Sequence, residues 1–204
     1  MKQRKLVVIS AGLSQPSSTR LLADQLSAAA AGAATRLGVT LDVQFIELRD
    51  LAHEITDNML TGFPGTSLKQ AQEAVTAADA LITVTPVFSA SYSGLFKSFF
   101  DVLDKDALVD KPVLLAATAG TARHSLVLEH ALRPLFSYLR AAIIPTSVFA
   151  ASDDWGANSV EGPLRARIDR AAAELARVVE RREPAVVTDP FALTADFEDM
   201  LKNL

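Results

Sequence analysis

The 204-residue sequence contains no cysteine and only three histidines. The absence of cysteine excludes disulfide bonds, thiolate nucleophiles, dithiol redox chemistry and every cysteine-ligated metal site. His53 and His130 have no acidic partners at a recognisable ligand spacing, so no metal site is expected. If this protein handles electrons, a bound cofactor must therefore carry them.

Long apolar runs and blocks of positive charge are also missing. Half of the residues are hydrophobic, but the first apolar run, Leu6 to Ile9, already ends at Ser10, which is too short for a signal peptide or a membrane span. The formal net charge of -4 comes from acids and bases scattered along the chain, so a polynucleotide is not an expected partner. These features favour one globular, cytoplasmic domain that binds neither nucleic acid nor membrane.

Short β-branched runs alternate with longer segments of helical period, which is typical of βαβ units and a parallel sheet. Five strands are predicted, at Lys5–Ile9, Val39–Leu48, Ala80–Val84, Pro112–Ala116 and Ala142–Phe149. Helices are predicted at Ser18–Leu37, Leu68–Ala78, Leu95–Leu103, Ser125–Tyr138 and Leu164–Arg182. Pro86 is expected to break the third strand, and a loop containing Gly62, Pro64 and Gly65 is expected before the second helix. Residues 1–184 are expected to form one domain, followed by a tail, residues 185–204, with one short helix.

The strands are almost wholly apolar, so helices are expected on both faces of the sheet. The right-handed crossover rule leaves few topologies, and functional loops after strands one, three and four fit the strand order 2-1-3-4-5. The predicted fold class is therefore α/β, a flavodoxin-like three-layer sandwich with a five-stranded parallel sheet.

The loop after the first strand, Ser10 to Arg20, is rich in hydroxyl residues and leads directly into a helix. A phosphate there would meet backbone N–H groups, the positive end of the helix dipole, hydroxyl donors and one guanidinium. The alternative is that one hydroxyl only caps the helix. Neither G-x-x-x-x-G-K-[ST] nor G-x-G-x-x-G occurs, which argues against a P-loop NTPase and a dinucleotide-binding Rossmann site. The residues predicted to contact the ligand are Ser10, Leu13, Gln15, Ser17, Ser18, Thr19 and Arg20.

The loop after the third strand runs from Thr85 to Gly94 and combines apolar surface with small polar groups. Phe88 offers a flat apolar face, and the serines with Gly94 allow polar contacts at close approach, as a planar aromatic ligand requires. Packing of Phe88 and Tyr92 on the sheet edge is an equal alternative. The predicted contacts here are Thr85, Pro86, Val87, Phe88, Ser89 and Ser91.

The loop after the fourth strand, Thr118 to Ser125, contains Gly120, which permits backbone amides to point at a ligand. The predicted contacts are Thr118, Ala119, Gly120, Thr121 and His124. A histidine just before a helix is more often a capping or packing residue than a proton donor, so the role of His124 stays open.

At these three loops the sequence resembles the NADPH-dependent FMN reductase family, which has the flavodoxin-like fold. The resemblance spans roughly residues 5 to 150 and rests on these segments: Ser10 to Arg20, Thr85-Pro-Val-Phe88, Gly94-Leu-Phe-Lys97, Thr118-Ala-Gly120, His124-Ser125 and Leu132-Arg-Pro-Leu135. The chain departs from the family's pattern in three ways. Gly12 is displaced, the first half of the first loop has no arginine, and Phe88 stands in the place of a tyrosine. Arg20 is therefore expected to carry more of the phosphate contact.

The resemblance implies a bound FMN whose phosphate lies on Ser17 to Arg20 and whose isoalloxazine lies between the second and third loops. NADPH or NADH would donate hydride to flavin N5, so no catalytic side chain is expected. The resemblance also implies a homodimer or homotetramer and a possible partner monooxygenase that takes up the reduced flavin. A quinone or azo-compound reductase with bound FMN and a flavodoxin-type electron carrier are the alternatives left open.

Overall fold

The computed structural model describes residues 2–155 and 162–184. The strands are β1 (Lys2–Ser10), β2 (Val39–Glu47), β3 (Ala80–Phe88), β4 (Ser91–Tyr92), β5 (Pro112–Ala119), β6 (Ala142–Ile143) and β7 (Val148–Ala151). The α-helices are α1 (Ser18–Arg36), α2 (Ala52–Thr61), α3 (Thr66–Ala77), α4 (Gly94–Asp101), α5 (Arg133–Tyr138) and α6 (Pro163–Arg181). The division at residue 184 stays a prediction, because the expected tail with its short helix, residues 185–204, lies outside the described residues.

The strands form one sheet in the spatial order β2-β1-β3-β5, with β6 and β7 both pairing along the far side of β5. All of these pairings are parallel, and only β4 runs antiparallel, against the end of β3. The flavodoxin-like α/β class is confirmed, and two details of the sheet differ from the prediction. The fifth strand is split in two around Pro145, which has no N–H for the ladder, and β4 is an additional strand.

Two hydrophobic layers cover the two faces of the sheet, because successive side chains of a strand point to opposite sides. In β1, Leu6 and Val8 contact the cluster that contains the buried faces of α1 and α6. Val7 and Ile9 contact the opposite cluster, which is formed with α2, α3, α4 and α5. Within the described residues, helices therefore cover both faces of the sheet, and the ends of its strands are available to a ligand.

The prediction that Pro86 breaks the third strand is wrong, because β3 continues to Phe88. The carbonyl of Val84 accepts a hydrogen bond of 2.9 Å from Ala11 N at the end of β1. In a parallel strand, the backbone N–H and C=O groups of residues two apart point to the same neighbouring strand. The nitrogen of Pro86 therefore points to the β1 side, beyond Ser10, the last β1 residue that pairs with β3. The missing N–H therefore costs no ladder bond, while Pro86 stays in register with Thr118 of β5.

Two helical segments also differ from the prediction. Helix α2 lies between the second strand and the loop that contains Gly62, where no helix was expected, and it buries Ile55 against the second core cluster. The single helix expected from Ser125 to Tyr138 is instead a π-helical turn, Leu128–Leu132, followed by α5. Pro134 at the start of α5 has no N–H to donate to the preceding turn, which disfavours a continuous α-helix.

In the two described ranges, no helix combines the length and apolar character that crossing a bilayer requires. The same residues contain no group of three or more histidine or acidic side chains that could hold a metal ion.

Candidate functional site

The carboxyl ends of β1, β3 and β5 lie side by side, and the three predicted loops leave the sheet at this edge. Ser10 at the end of β1 is in register with Val84 of β3, and Pro86 of β3 is in register with Thr118 of β5. The hydroxyls of Thr19 and Thr118 form a buried hydrogen bond of 2.8 Å. The first turn of α1 is therefore fixed to the end of β5.

The first loop ends in a capped helix that has no acidic residue in its first turn. Ser17 is the N-cap of α1, and its Oγ accepts a hydrogen bond of 3.2 Å from Arg20 N. The capping alternative is therefore correct for Ser17, but one hydroxyl satisfies only one of the N–H groups that begin a helix. The N–H groups of Ser18 and Thr19 precede it at the positive end of a 19-residue helix.

Gly12 packs against the hydroxyl that caps α1. A Cβ built on Gly12 would lie 2.1 Å from Ser17 Oγ, a separation that no side chain can occupy without moving the cap. Glycine at this position therefore leaves room for the capping hydroxyl of Ser17, which a larger residue would displace.

Ser10 is fully buried, and its Oγ has no hydrogen-bond partner within the described parts of the chain. By the alternation along β1, its side chain lies on the same face as Leu6 and Val8, the face covered by α1. Thr83 Oγ1 is also buried without a partner there, but it lies on the opposite face. A buried hydroxyl without a partner is costly, so Ser10 Oγ marks a place where a ligand oxygen would complete the site.

Arg20, the predicted phosphate ligand, is held by two carboxylates of the protein. Its Nε lies 2.8 Å from Asp24 Oδ1, its NH1 lies 2.6 Å from Glu47 Oε1, and its guanidinium carbon lies 4.2 Å from the ring centroid of Phe45. The hydrogen bonds that Arg20 donates to Asp24 and Glu47 raise its pKa above the usual value. A phosphate contact by Arg20 stays a prediction, and these ion pairs compete with it.

A cleft of about 340 Å³ lies beside this arginine, on the β2 side of the first loop. It is lined by Ser14, Gln15, Pro16, Ser17, Arg20, Leu21, Asp24, Glu47 and Arg49. Three charged residues of this lining, Asp24, Glu47 and Arg49, were missed by sequence reasoning. Glu47 could have been found from the sequence, because it ends the strand next to β1 at the same edge of the sheet as the predicted loops.

The second loop is a tight hairpin between β3 and β4. Ser89 and Ala90 form its turn with φ angles of +48° and +70°, as the favoured two-residue turns require. Thr85 is fully buried, and its Oγ1 accepts from Ser93 N at 3.0 Å and donates to the carbonyl of Pro86 at 2.9 Å. The hydroxyl of Thr85 therefore holds the hairpin closed.

The aromatic residues of this hairpin separate into one packed and one exposed ring. Tyr92 packs on Phe96 of α4, with ring centroids 6.0 Å apart, and Val87 packs against the same core cluster. Phe88 remains 47% exposed, next to Ser91 across the hairpin turn. Tyr92 is thus a packing residue, as the alternative expected, although its ring contacts α4 and not the sheet edge, while Phe88 remains exposed.

The third loop begins buried and becomes exposed. Thr118 is buried and bonded to Thr19, Ala119 is half-buried, and Gly120, Thr121 and His124 are exposed. A short 3-10 turn, Ala122–His124, ends the loop. The structure thus joins Thr19 to Thr118 and buries Ser10 at the end of β1. The other predicted residues that lie exposed at the surface are Leu13, Gln15, Ser18, Phe88, Ser89, Gly120, Thr121 and His124.

Comparison with known proteins gives matches over most of the chain. Residues 4–156 match the family model described as NADPH-dependent FMN reductase. An "FMN reductase (NADPH)" of Pseudomonas aeruginosa is 42% identical over 175 residues, covering 84% of this chain and 90% of the relative. An "NADH-dependent FMN reductase SfnF" of Pseudomonas fluorescens is 40% identical, covering 84% and 89%. The crystal structure of an oxidoreductase from Corynebacterium diphtheriae is 50% identical, with a TM-score of 0.84, covering 90% of this chain and 100% of that one.

Proposed function

This chain belongs to the NADPH-dependent FMN reductase family, and from that premise we propose which of its residues hold the flavin and what the reduced flavin serves. The protein is an NAD(P)H-dependent FMN reductase, an oxidoreductase that takes FMN as substrate or cofactor and NADPH or NADH as the electron donor. Bound FMN supplies a ring that accepts hydride from a nicotinamide. The protein therefore needs to bind and orient two ligands, and it needs no nucleophile of its own.

The FMN phosphate binds at the start of α1. The observation that carries this proposal is Ser10 Oγ, a buried hydroxyl without a partner in the described chain, on the face covered by α1. The N–H groups of Ser18 and Thr19 and the dipole of α1 add donors and a positive potential, and no acid in the first turn opposes them. These are the properties that a terminal phosphate requires, so the residues present fit the cofactor.

The isoalloxazine binds against the second and third loops. The exposed ring of Phe88 supplies apolar surface, and Ala119, Gly120 and Thr121 supply backbone groups at the end of β5. Thr85 and Thr118 support the site indirectly, because their hydroxyls are used in the hairpin and in the contact with Thr19. The two loops thereby orient the ring and exclude water from one of its faces.

The proposal also covers the electron acceptor of the reduced flavin and the oligomeric state of the chain. Reduced flavin passes to a partner monooxygenase in the cytoplasm, and the chain acts as a homodimer or homotetramer with the flavin near the subunit interface. Leu126 and Tyr138 support a subunit contact, because both apolar side chains are exposed on the segment between β5 and β6. Leu128, Leu132 and Phe136 of the same segment are buried in its own domain.

The proposal is tested by titrating the purified chain with FMN and measuring NADPH and NADH oxidation with and without it. We expect oxidation of at least one nicotinamide that depends on FMN. Absence of both FMN binding and FMN-dependent oxidation would remove the proposal. A steady-state comparison of FMN, a quinone and an azo dye as acceptors tests the quinone or azo-compound reductase alternative, and family membership argues against the electron carrier.

A further inference from the structure

The side chain of Arg20 connects three elements of the fold. Its backbone N–H donates to the capping hydroxyl of Ser17, and its guanidinium bonds Asp24 one turn further along α1. The same guanidinium bonds Glu47 at the end of β2 and stacks on the ring of Phe45. The opening turn of α1 is therefore tied to the adjacent edge strand as well as to β5.

Glu47 is a firm anchor for this connection. Its side chain is 15% exposed, while the side chains of Arg20 and Asp24 are 39% and 47% exposed. A carboxylate that is mostly withdrawn from water and bonded at 2.6 Å holds a guanidinium better than a mobile surface acid does, because solvent screens the pair less. The stacking on Phe45 further restricts the orientation of the guanidinium plane.

The carboxylates bonded to Arg20 leave this residue no excess positive charge for a phosphate. Two carboxylates, Asp24 and Glu47, bond one guanidinium, so the trio carries a net negative charge. Arg49, the other arginine of the cleft, has its Nε 3.4 Å from the exposed Asp50, and its NH1 donates to the carbonyl of Ser14 at 3.3 Å. A phosphate approaching Arg20 would meet the repulsion of Glu47 together with the attraction of the guanidinium.

We propose that Arg20 is a positioning residue with Glu47 as its anchor, and that the pair fixes the first turn of α1 so that Ser17, Ser18 and Thr19 face the phosphate. This inference rests on the proposed FMN reductase function, and it replaces a direct contact between Arg20 and the phosphate. Glu47 is an acid at the edge of the site, but it supports the binding of the FMN phosphate by holding Arg20 in place. Removal of Glu47 therefore weakens FMN binding.

Removing Glu47 distinguishes the two roles by the sign of the effect. If Arg20 positions the turn, Glu47→Ala weakens FMN binding about tenfold, as Arg20→Gln does, and the double variant is no weaker than either alone because the two residues act as one unit. If Arg20 contacts the phosphate, Glu47→Ala frees the cation, removes a negative charge and tightens FMN binding. The readout is the dissociation constant of the apoprotein for FMN, measured by calorimetry, with riboflavin as the ligand that lacks the phosphate.

The positioning role predicts that riboflavin affinity stays within about twofold of the wild type in all three variants, since only the phosphate donors move. Glu47→Gln keeps the shape of the side chain and an acceptor oxygen, so it should recover part of the FMN affinity. Arg165→Gln, which breaks the exposed pair with Asp169 on α6, is the matched control and should bind FMN as the wild type does. Thermal unfolding of each variant shows that it is folded at the temperature of titration.

Two results would overturn the inference: FMN affinity that is unchanged or tighter in Glu47→Ala, or losses in Arg20→Gln and Glu47→Ala that add in the double variant. Wild-type protein that binds no FMN would instead contradict the proposed function itself. The two failures are distinguishable, because the first is read only from variants of a chain that binds FMN.

Discussion

Thr19 and Thr118 share a buried hydrogen bond of 2.8 Å between their hydroxyl oxygens, although 99 residues separate them in the sequence. One residue begins α1 and the other lies near the end of β5, so the bond joins the first loop to the third across the end of β3. This pair of side chains therefore contributes to the position of the first loop relative to the third.

Thr118→Val should destabilise the protein by about 1–3 kcal/mol, because it leaves the hydroxyl of Thr19 buried without its partner. The double variant Thr19→Val with Thr118→Val should recover most of this loss, since two apolar groups of the same shape replace both hydroxyls. Urea unfolding measures both values. Thr76→Val, whose exposed hydroxyl donates to the carbonyl of Gln72, is the control. A double variant as unstable as the sum of the single ones would show that the bond does not act as a pair.

Gly12→Ala should cost about 1 kcal/mol of stability and weaken FMN binding, because the new Cβ displaces Ser17 Oγ and removes the cap of α1. Gly32→Ala is the matched control, since the nearest atom to a Cβ there is 3.9 Å away. The control lies inside α1 and should stabilise the protein by up to about 1 kcal/mol. Equal unfolding midpoints for the two variants would contradict the packing of Gly12 against the cap.

Lys111 should make the protein more stable as pH rises above 8. Burial and the nearby charge of Arg182 lower the pKa of Lys111 to about 8, while Nζ donates to the carbonyls of Val75 and Thr76 at 2.6 and 2.8 Å. Between this pKa and the ordinary value of 10.5, the unfolded chain binds more protons than the folded one, so raising the pH favours folding. The gain from this group is on the order of 3 kcal/mol.

The measurement is the free energy of unfolding against pH for the wild type and for Lys111→Met. Other lysines and tyrosines titrate in the same range, so the difference between the two curves isolates Lys111. We expect that difference to change by about 3 kcal/mol between pH 8 and 10.5 and to be constant below pH 7. A difference independent of pH would mean that the buried ammonium carries no desolvation cost.

Much of the fold could be predicted from the sequence, because local patterns determine it. The apolar runs of β1, β3 and β5 and the helical period of α1 and α6 give their positions, and the burial of the strands on both faces gives the layers. Helix α2 was missed because only two of its residues, Ile55 and the polar Asn58, are buried, so no apolar face marks it in the sequence. The continuation of β3 through Pro86 depends on where β1 stops pairing with β3. This pairing is set by the assembled sheet and cannot be read from the local sequence of β3.

The candidate site was predicted only in part, for a related reason. The three loops follow directly from strand ends, so Ser17, Thr19 and Phe88 could be located from the sequence. The partners of their side chains could not, because Glu47 reaches Arg20 through the pairing of β1 with β2 and Thr118 reaches Thr19 across the sheet. Such long-range contacts decide whether an arginine binds a ligand or holds a turn.

Ser10→Ala tests the central claim most directly, through the affinities of the apoprotein for FMN and for riboflavin. The substitution removes a buried hydroxyl without a partner in the described chain, so the unliganded variant should be as stable as the wild type or more stable, by about 1 kcal/mol. Its affinity for FMN should nevertheless fall about tenfold, while its affinity for riboflavin stays unchanged, because only the phosphate loses a hydrogen bond. Unchanged FMN affinity in the variant, or a wild type that binds riboflavin as tightly as FMN, would contradict a phosphate site at the start of α1.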